Sequence, residues 1–272
     1  MSHVLMNPRG FLTSAKRLVV KVGTSVLTDP HHAVVAKHCV QSVASEVAAL
    51  RKEAKKELVL VTSGAIGVGM GVLGLKNRPT LLPKLQAAAA IGQGRLMQWY
   101  MSRFEEEDLH AAQILLTRGD LEDRSRYGNA KATLETLLAS GVVPIINEND
   151  TVSVEEIRYG DNDILSAHVA VLIGADLLVL LTDVDHLIGP ADPLEVVTEI
   201  TPEIEKAARG TSKAVSTGGM RSKVEAAKIV MASGISMVLL NGRRPHPLTA
   251  GLSPHQQFRG TWFLPAAARP PR

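Results

Sequence analysis

The sequence predicts an α/β protein, a three-layer sandwich whose mainly parallel central sheet is covered by helices on both faces. Short runs of β-branched residues or leucine alternate along the chain with longer stretches of helical periodicity. Those runs are apolar at consecutive positions, which is typical of parallel strands buried on both faces. The chain has 272 residues and is 45% hydrophobic, so it can form a substantial core.

The strands of this sheet are predicted where an apolar run ends in small polar residues. RLVVKV, LVLV and LLVLL are such runs, and each leads directly into Gly or Thr. The predicted strands cover residues 17–22, 58–61, 111–116, 142–146, 177–181 and 236–240, and the last of these is expected to be the final core strand. Residues 151–159 alternate enough between apolar and polar to form a hairpin.

The helices are predicted from apolar residues that recur every three or four positions, as Val40, Val43 and Val47 do. The predicted helices are 34–52, one of small residues that begins at Ser63, then 84–107, 125–140, 161–174 and 218–233. We expect residues 1–272 to form one domain, with a short frayed N-terminus of about residues 1–15 and a frayed tail of about residues 265–272.

Composition excludes several classes of function. The net charge is +3 and aromatic residues make up 3%, so stacking platforms for nucleic acid are not expected. The single cysteine, Cys39, falls on the first long helix and rules out an internal disulfide or a cysteine-based zinc site. No stretch has the length of a signal peptide core or a membrane span. The sequence therefore predicts a cytoplasmic protein with no membrane or nucleic-acid partner.

Three clusters of Gly, Ser and Thr follow predicted strands or open predicted helices. They are KVGTS from Lys21, TSGA from Thr62, and TGGMRSK over residues 217–223. Each cluster alone is compatible with an ordinary turn and helix cap. Open α/β sheets bind ligands at the carboxyl ends of their strands, and helix N-termini attract anions. Three clusters at that edge, two of them with a lysine, therefore favour a phosphate-binding site.

The chemistry of phosphoryl transfer suits these residues. Transfer depends mainly on positioning and on charge neutralisation, which two lysines on either side of the moving group would provide. Asp163 lies in the first turn of a predicted helix and would hold Lys21 and Lys223 apart and oriented, whereas Asp161 is better suited to cap that helix.

A dinucleotide-binding site is the competing interpretation of one motif, GMGVLG at residues 69–74. This motif begins eight residues after its strand, and no acidic residue lies between Leu58 and Phe104 to hold a ribose. The Walker A pattern is also absent from the sequence. We therefore expect the glycines to allow close packing of helices.

The ordered motifs resemble those of the amino-acid kinase family, from about residue 16 to about residue 263. The motifs are VVKVGTSVLT, VTSGAIGVG, PIINENDTV, GDNDILSA, LLTDVD and STGGMRSKVEAA. Family members that act on N-acetylglutamate, aspartate, carbamate or uridylate typically carry a Gly-Gly pair after the first strand. Here a single Gly23 precedes Thr-Ser, and INEND occurs together with GDND. This combination resembles the members that phosphorylate free L-glutamate.

The resemblance implies the reaction of ATP with L-glutamate to give ADP and L-glutamyl 5-phosphate, the first step of proline biosynthesis. It implies that Lys21, Lys223 and Asp163 are catalytic and that Ser63, Asp150, Asn162 and Asn147 bind glutamate. The ATP-binding residues it implies are Lys21, Thr182, Asp183, Thr217, Gly218, Gly219, Met220, Arg221, Ser222 and Lys223. Mg²⁺ would bridge the phosphates.

The same resemblance implies a homo-oligomer, a dimer or a tetramer, and a functional link to glutamyl phosphate reductase. It also implies feedback inhibition by proline, which adding proline to a glutamate-dependent assay would test. Many members continue into a C-terminal PUA module at the point where this sequence ends, so we expect a kinase domain without that module.

The sequence departs from the family pattern after the fifth predicted strand. The family reads DGLY and then DPR, whereas this chain has Asp185-His186-Leu187-Ile188 and then Asp192-Pro193-Leu194 in a shorter loop. This segment borders the nucleotide site in the family, so the change bears on nucleotide affinity and base preference. Two alternatives stay open: a related kinase acting on another carboxylate or carbamate, and a non-catalytic protein that binds nucleotide or amino acid.

Overall fold

An eight-stranded sheet lies at the centre of the protein. The computed structural model describes residues 14–32, 34–53, 55–153, 162–189, 193–209, 219–253 and 255–265. The strands are β1 Arg17–Val22, β2 Thr28–Asp29, β3 Val34–Val35, β4 Glu57–Val61, β5 Ala111–Leu116, β6 Val143–Glu148, β7 Leu177–Thr182, β8 Leu187–Ile188, β9 Pro193–Leu194, β10 Val196–Val197, β11 Ser236–Asn241 and β12 Gly260–Phe263.

Helices connect most of these strands, as the alternating pattern of the sequence predicts. The helices are α1 Thr24–Leu27, α2 Lys37–Glu53, α3 Ala65–Val72, α4 Leu82–Glu106, α5 Arg118–Glu122, α6 Arg124–Ala139, α7 Asn162–Leu172, α8 Pro202–Arg209 and α9 Met220–Ala232. None of the helices in the described part of the chain combines the length and the apolar character that a membrane span requires.

The order of strands in the sheet is β10-β12-β11-β7-β1-β4-β6-β5. Neighbouring strands run parallel, except that β12 runs antiparallel to β11. Parallel neighbours need crossover connections, and the helices provide them. Because β7, β1, β4 and β6 are adjacent and parallel, their carboxyl ends lie side by side at one edge of the sheet.

The strands are buried on both faces, which confirms the three-layer prediction. In β1, Leu18 and Val20 belong to one hydrophobic core, and Val19 belongs to the core on the opposite face. All three side chains have no exposed surface. Successive side chains of a strand point to opposite faces, so an unbroken apolar run indicates helices on both sides.

A strand does form at the predicted residues 236–240, as part of β11. The prediction that it is the final core strand is wrong, because β12 adds a further buried strand. Trp262 and Phe263 in β12 are fully buried, although the segment before it is polar. Phe263 pairs with Met237 across β11, and its side chain belongs to the same core as that of Met237. With four residues, β12 is too short to show a periodic pattern of apolar residues in the sequence.

Two predicted helix starts also need correction. Val34–Val35 pairs with Thr28–Asp29 as a small hairpin, so α2 begins three residues later than predicted, at Lys37. Ser63 lies before α3, because Gly64 adopts a left-handed conformation with φ 98° and separates Ser63 from the helix. Residues 154–159 of the predicted hairpin and most of both predicted frayed ends lie outside the described residues.

Two glycines allow α3 and α4 to pack closely, as the sequence predicted for the GMGVLG motif. A Cβ atom added to Gly69 would lie 1.8 Å from the backbone oxygen of Ala88, and one added to Gly92 would lie 1.8 Å from that of Ala65. A Cβ added to Gly71 would contact nothing within 4 Å. Only the first glycine of the motif therefore serves helix packing.

Gly69→Ala is expected to destabilise the protein by about 1–3 kcal/mol or more, because the helices would have to separate. Gly71→Ala on the same helix is the matched control, and it should stabilise the protein by up to about 1 kcal/mol through helix propensity. Urea unfolding followed by circular dichroism measures both. Equal stability of the two variants would contradict the close packing of α3 against α4.

Candidate active site

Lys21, Asp163 and Lys223 meet at the carboxyl edge of the sheet. Lys21 is the penultimate residue of β1, Asp163 lies in the first turn of α7, and Lys223 lies in the first turn of α9. The Nζ atom of Lys21 lies 2.6 Å from Oδ1 of Asp163, and that of Lys223 lies 3.1 Å from Oδ2. One carboxylate therefore bridges two ammonium groups that are distant in sequence.

This ion-pair cluster is buried. Lys21 is 3% exposed, Asp163 is 1% exposed and Lys223 is 7% exposed. A buried charge is stable only when it is paired and hydrogen-bonded. Two cations share one anion here, so the cluster carries a net positive charge, and a phosphoryl group with its own negative charge is a suitable further partner.

Ser222 connects α9 to the same carboxylate. Its hydroxyl lies 2.9 Å from Oδ2 of Asp163 and 2.9 Å from the backbone oxygen of Gly219, which caps α9. The N-terminus of α9, with Met220 and Arg221, therefore lies beside Asp163. Thr217 and Gly218, two of the predicted ATP-binding residues, lie outside the described residues.

Gly23 follows β1 and lies close to the ammonium group of Lys21. A Cβ atom added to Gly23 would lie 3.6 Å from Nζ of Lys21. The backbone N–H of Gly23 donates to the backbone oxygen of Leu181 in β7, which fixes the turn against the neighbouring strand. At these distances a Cβ atom would make ordinary van der Waals contacts, so space alone does not require glycine at this position.

The predicted glutamate-binding residues Asn147, Asn162 and Ser63 form one hydrogen-bond network. Nδ2 of Asn162 lies 2.8 Å from Oδ1 of Asn147, 3.1 Å from the hydroxyl of Ser63 and 2.5 Å from the backbone oxygen of Thr62. Asn162 immediately precedes Asp163, so this network and the ion-pair cluster are adjacent.

Asp150 lies on the loop after β6 and lines a small cleft with Glu148, Asn149 and Gln93. The cleft is next to the asparagine network, because Nδ2 of Asn147 donates to Oε1 of Gln93 at 2.8 Å. Glu148 is 8% exposed and accepts a hydrogen bond from the hydroxyl of Ser153 at 2.9 Å. Sequence reasoning missed Gln93 and Glu148. The sequence offers one clue to Gln93, which is a polar residue within the otherwise apolar stripe of α4.

Thr182 and Asp183, at the end of β7, lie beside the turn after β11. The backbone N–H of Gly242 donates to the backbone oxygen of Thr182 at 2.8 Å. Thr182 is buried and Asp183 is exposed, so the carboxylate of Asp183 is accessible from solvent. These positions are compatible with a nucleotide lying across the ends of β7 and β11.

The segment that departs from the family pattern is held in place by Asp185. Its carboxylate accepts hydrogen bonds from Nε and Nη2 of Arg244, each at 2.8 Å, and from Nδ2 of Asn241 at 2.8 Å. The bonds from Arg244 first, and then from Asn241, lower the pKa of Asp185 to about 2. Asp192, in the same segment, lies outside the described residues.

No cluster of three or more His, Cys, Asp or Glu side chains that could hold a metal ion occurs among the described residues. A magnesium ion in proteins is commonly held by phosphate oxygens, water and only one or two carboxylates. Asp163 is engaged by two lysines, whereas Asp183 is an exposed carboxylate at the carboxyl edge of the sheet.

Comparisons with known proteins identify the family and the fold of this chain. The sequence profile of the Amino acid kinase family matches residues 16–241. A solved structure of carbamate kinase from Giardia lamblia bound to AMP-PNP superposes with a TM-score of 0.62 at 18% identity, over 93% of this chain and 99% of that one. At this identity the likeness concerns the fold.

Two relatives are much more similar in sequence. A glutamate 5-kinase of Moorella thermoacetica is 50% identical over 269 residues, which cover 95% of this chain and 69% of the relative. A glutamate 5-kinase of Carboxydothermus hydrogenoformans is 52% identical over 239 residues, which cover 85% of this chain and 64% of the relative. The chain thus spans about two thirds of the length of these relatives.

The mainly parallel sheet and the matching family profile define the class of this protein, a kinase with the amino acid kinase fold. The chain belongs to the amino acid kinase family and, within that family, to the glutamate 5-kinases.

Proposed function

We propose that this chain transfers the γ-phosphoryl group of ATP to the side-chain carboxylate of L-glutamate, giving ADP and L-glutamyl 5-phosphate. The observation that carries the proposal is the pairing of Lys21 and Lys223 with one buried carboxylate, Asp163. The names of the relatives, at 50% and 52% identity, support the choice of glutamate as acceptor. In this proposal the reaction is the first step of proline biosynthesis.

The two lysines would stabilise the transferred group. Negative charge on the moving phosphoryl oxygens must be neutralised in the transition state, and fixed cations in a water-poor site do this without reorganisation. Lys21 and Lys223 approach Asp163 from β1 and α9 respectively, so a phosphoryl group between these elements would contact both ammonium groups. Asp163 is a positioning residue in this mechanism, because it holds both lysines.

Glutamate would lie with its side-chain carboxylate toward the lysines and its α-ammonium group toward Asp150. The network of Asn147, Asn162 and Ser63 lies between these two ends and would orient the substrate. Such orientation places the attacking carboxylate oxygen close to the γ-phosphorus, which is a large part of catalysis in reactions of two substrates.

ATP would lie across the ends of β7 and β11, with its phosphates directed at the N-terminus of α9. Thr182, Asp183 and the segment from residue 217 to residue 223 would bind it, since free N–H groups at a helix N-terminus bind phosphate. Mg²⁺ bound to the phosphates would neutralise part of their charge. A related kinase is bound to AMP-PNP in its solved structure, which agrees with a nucleotide on this fold.

Several further features belong to the proposal. We propose that residues 1–272 form a single kinase domain that works in the cytoplasm as a homo-oligomer, a dimer or a tetramer. The acyl phosphate product is labile, so a functional link to glutamyl phosphate reductase would limit its loss to hydrolysis. Size-exclusion chromatography with light scattering tests the oligomer, and a monomeric mass would contradict that part.

The experiment that tests the function measures ADP release with ATP and Mg²⁺ on a panel of acceptors. The panel contains L-glutamate, N-acetyl-L-glutamate, L-aspartate, carbamate and uridylate, and hydroxylamine is added to trap any acyl phosphate. We expect ADP release and hydroxamate formation with L-glutamate. ADP release with another acceptor alone would indicate a related kinase. No ADP release with any acceptor would favour a non-catalytic binding protein.

Asp150→Ala is expected to raise the glutamate KM by about 10- to 100-fold, because a charged hydrogen bond to the α-ammonium group would be lost. The ATP KM should change little, since none of the proposed ATP-binding residues lines the cleft with Asp150. Steady-state kinetics with each substrate varied in turn measures both constants. An effect on the ATP KM alone would contradict the assignment of Asp150.

A further inference from the structure

The amide of Gln93 has a fixed orientation. Oδ1 of Asn147 accepts a hydrogen bond from the backbone N–H of Glu148 at 2.9 Å, and a backbone N–H is always a donor. Nδ2 of Asn147 must therefore face Gln93, and the atom of Gln93 that it meets at 2.8 Å must be an acceptor. Oε1 of Gln93 therefore faces Asn147, and Nε2 of Gln93 faces away from Asn147.

The Nε2 group of Gln93 is a buried donor with no hydrogen-bond partner among the residues that the structure describes. Gln93 is 9% exposed, and its neighbours on the buried face of α4 are Ala89 and Leu96. Burying a donor without a partner costs folding free energy, so the Nε2 group is suited to an acceptor that a bound ligand supplies. The carboxamide carries two N–H bonds, and both are available to an acceptor.

The position of Gln93 indicates which acceptor that is. It lines the cleft together with Asp150 and Glu148. Two carboxylates suit a positively charged α-ammonium group but repel the α-carboxylate attached to the same carbon. An amino acid bound there needs a donor for its α-carboxylate, and Gln93, which lines the cleft, carries such a donor in its Nε2 group.

The side-chain carboxylate of the substrate is the poorer candidate for this contact. It must reach the cluster of Lys21, Asp163 and Lys223 in order to react, and none of these residues lines the cleft with Gln93. Asn162 separates the two regions, with Asp163 next to it in sequence and Asn147 hydrogen-bonded to its side chain.

We propose that Gln93 is a specificity-determining residue that donates from Nε2 to the α-carboxylate of the amino-acid substrate. The inference rests on the proposed function and extends it to the end of the substrate that carries the α-ammonium group and the α-carboxylate. The chain Gln93–Asn147–Asn162 then connects recognition of the α-carboxylate to the residue beside Asp163 through two hydrogen bonds of 2.8 Å.

The test compares L-glutamate with its α-amide, in which a carboxamide replaces the α-carboxylate and the reacting side-chain carboxylate is unchanged. Wild type and Gln93→Glu are assayed for ADP release on both. The glutamate side chain keeps an acceptor oxygen toward Asn147 and replaces the Nε2 donor by an acceptor. We expect Gln93→Glu to raise the KM for L-glutamate by about 10- to 100-fold, with kcat changed less than KM.

The α-amide gives the sharper result. Its N–H groups can donate to the new carboxylate, so the ratio of the α-amide KM to the L-glutamate KM should fall at least about 10-fold in Gln93→Glu. Gln98→Glu, the same substitution on the exposed face of α4, is the matched control and should leave the ratio unchanged. Thermal unfolding of both variants checks that they fold.

The outcomes separate the two proposals. A wild-type protein that does not phosphorylate L-glutamate overturns the proposed function and this inference with it. An active wild type with the same KM ratio in Gln93→Glu overturns the inference alone. If Gln93→Glu fails to fold, Gln93→Met removes the donor without adding charge, and an unchanged L-glutamate KM in that variant overturns the inference.

Discussion

Lys223→Ala is expected to lower kcat for glutamate phosphorylation by about 10²- to 10³-fold, the usual cost of removing one preorganised group that stabilises transition-state charge. The glutamate KM should change by only a few-fold, because Lys223 faces Asp163 and the proposed phosphoryl position. An interaction that acts mainly in the transition state appears in kcat. Initial rates over a glutamate series at saturating ATP measure this.

The matched control is Lys228→Ala on the same helix. Lys228 pairs with Glu205 at 2.8 Å and with Glu225 at 3.4 Å near the surface, so its loss should leave kcat unchanged. Lys223→Ala should still fold, since Asp163 keeps its ion pair with Lys21 at 2.6 Å. Equal losses in kcat and in glutamate affinity would contradict the assigned role of Lys223.

Asp163→Asn is expected to affect both catalysis and stability. The substitution keeps the shape of the side chain but removes the one negative charge shared by two buried lysines. Leaving buried charges without their partner costs about 3–5 kcal/mol in folding free energy. The kcat should fall by at least about 10²-fold, because the lysines would no longer be held in position.

Thermal unfolding with and without ligand measures the stability part of this prediction. ATP binds between the lysines in the proposed arrangement, so it should raise the Tm of Asp163→Asn more than that of wild type. Asp123→Asn is the control, because Asp123 is an exposed cap of α6. Wild-type stability together with wild-type kcat in Asp163→Asn would show that Asp163 does not organise the lysines.

The strands and the lysine cluster were predictable from sequence for a shared physical reason. Fully buried parallel strands leave long apolar runs, as in Leu177–Thr182, and polar residues that follow such runs meet at one edge of the sheet. Lys21, Asp163 and Lys223 could therefore be grouped before any distance was known. The structure places the three side chains in contact, and their catalytic roles are proposals.

Other features depended on tertiary contacts that leave little trace in the sequence. β12 is only four residues long and its burial comes from pairing with β11. Gln93 lies on a long helix among apolar residues, and its importance appears only from the bond to Asn147. The ion pair between Asp185 and Arg244 joins two loops, and no sequence motif predicts it.

The most direct test of the central claim follows an oxygen atom. L-glutamate labelled with oxygen-18 in its side-chain carboxylate is incubated with ATP, Mg²⁺ and the protein, and the acyl phosphate is then cleaved by hydroxylamine. Attack by a carboxylate oxygen on the γ-phosphorus leaves that oxygen on the phosphate when hydroxylamine takes the carbonyl carbon. Mass spectrometry should therefore find one oxygen-18 atom in the released phosphate, in equal amount to ADP. Unlabelled phosphate would show that ATP is hydrolysed without transfer to glutamate, and would contradict the proposed function.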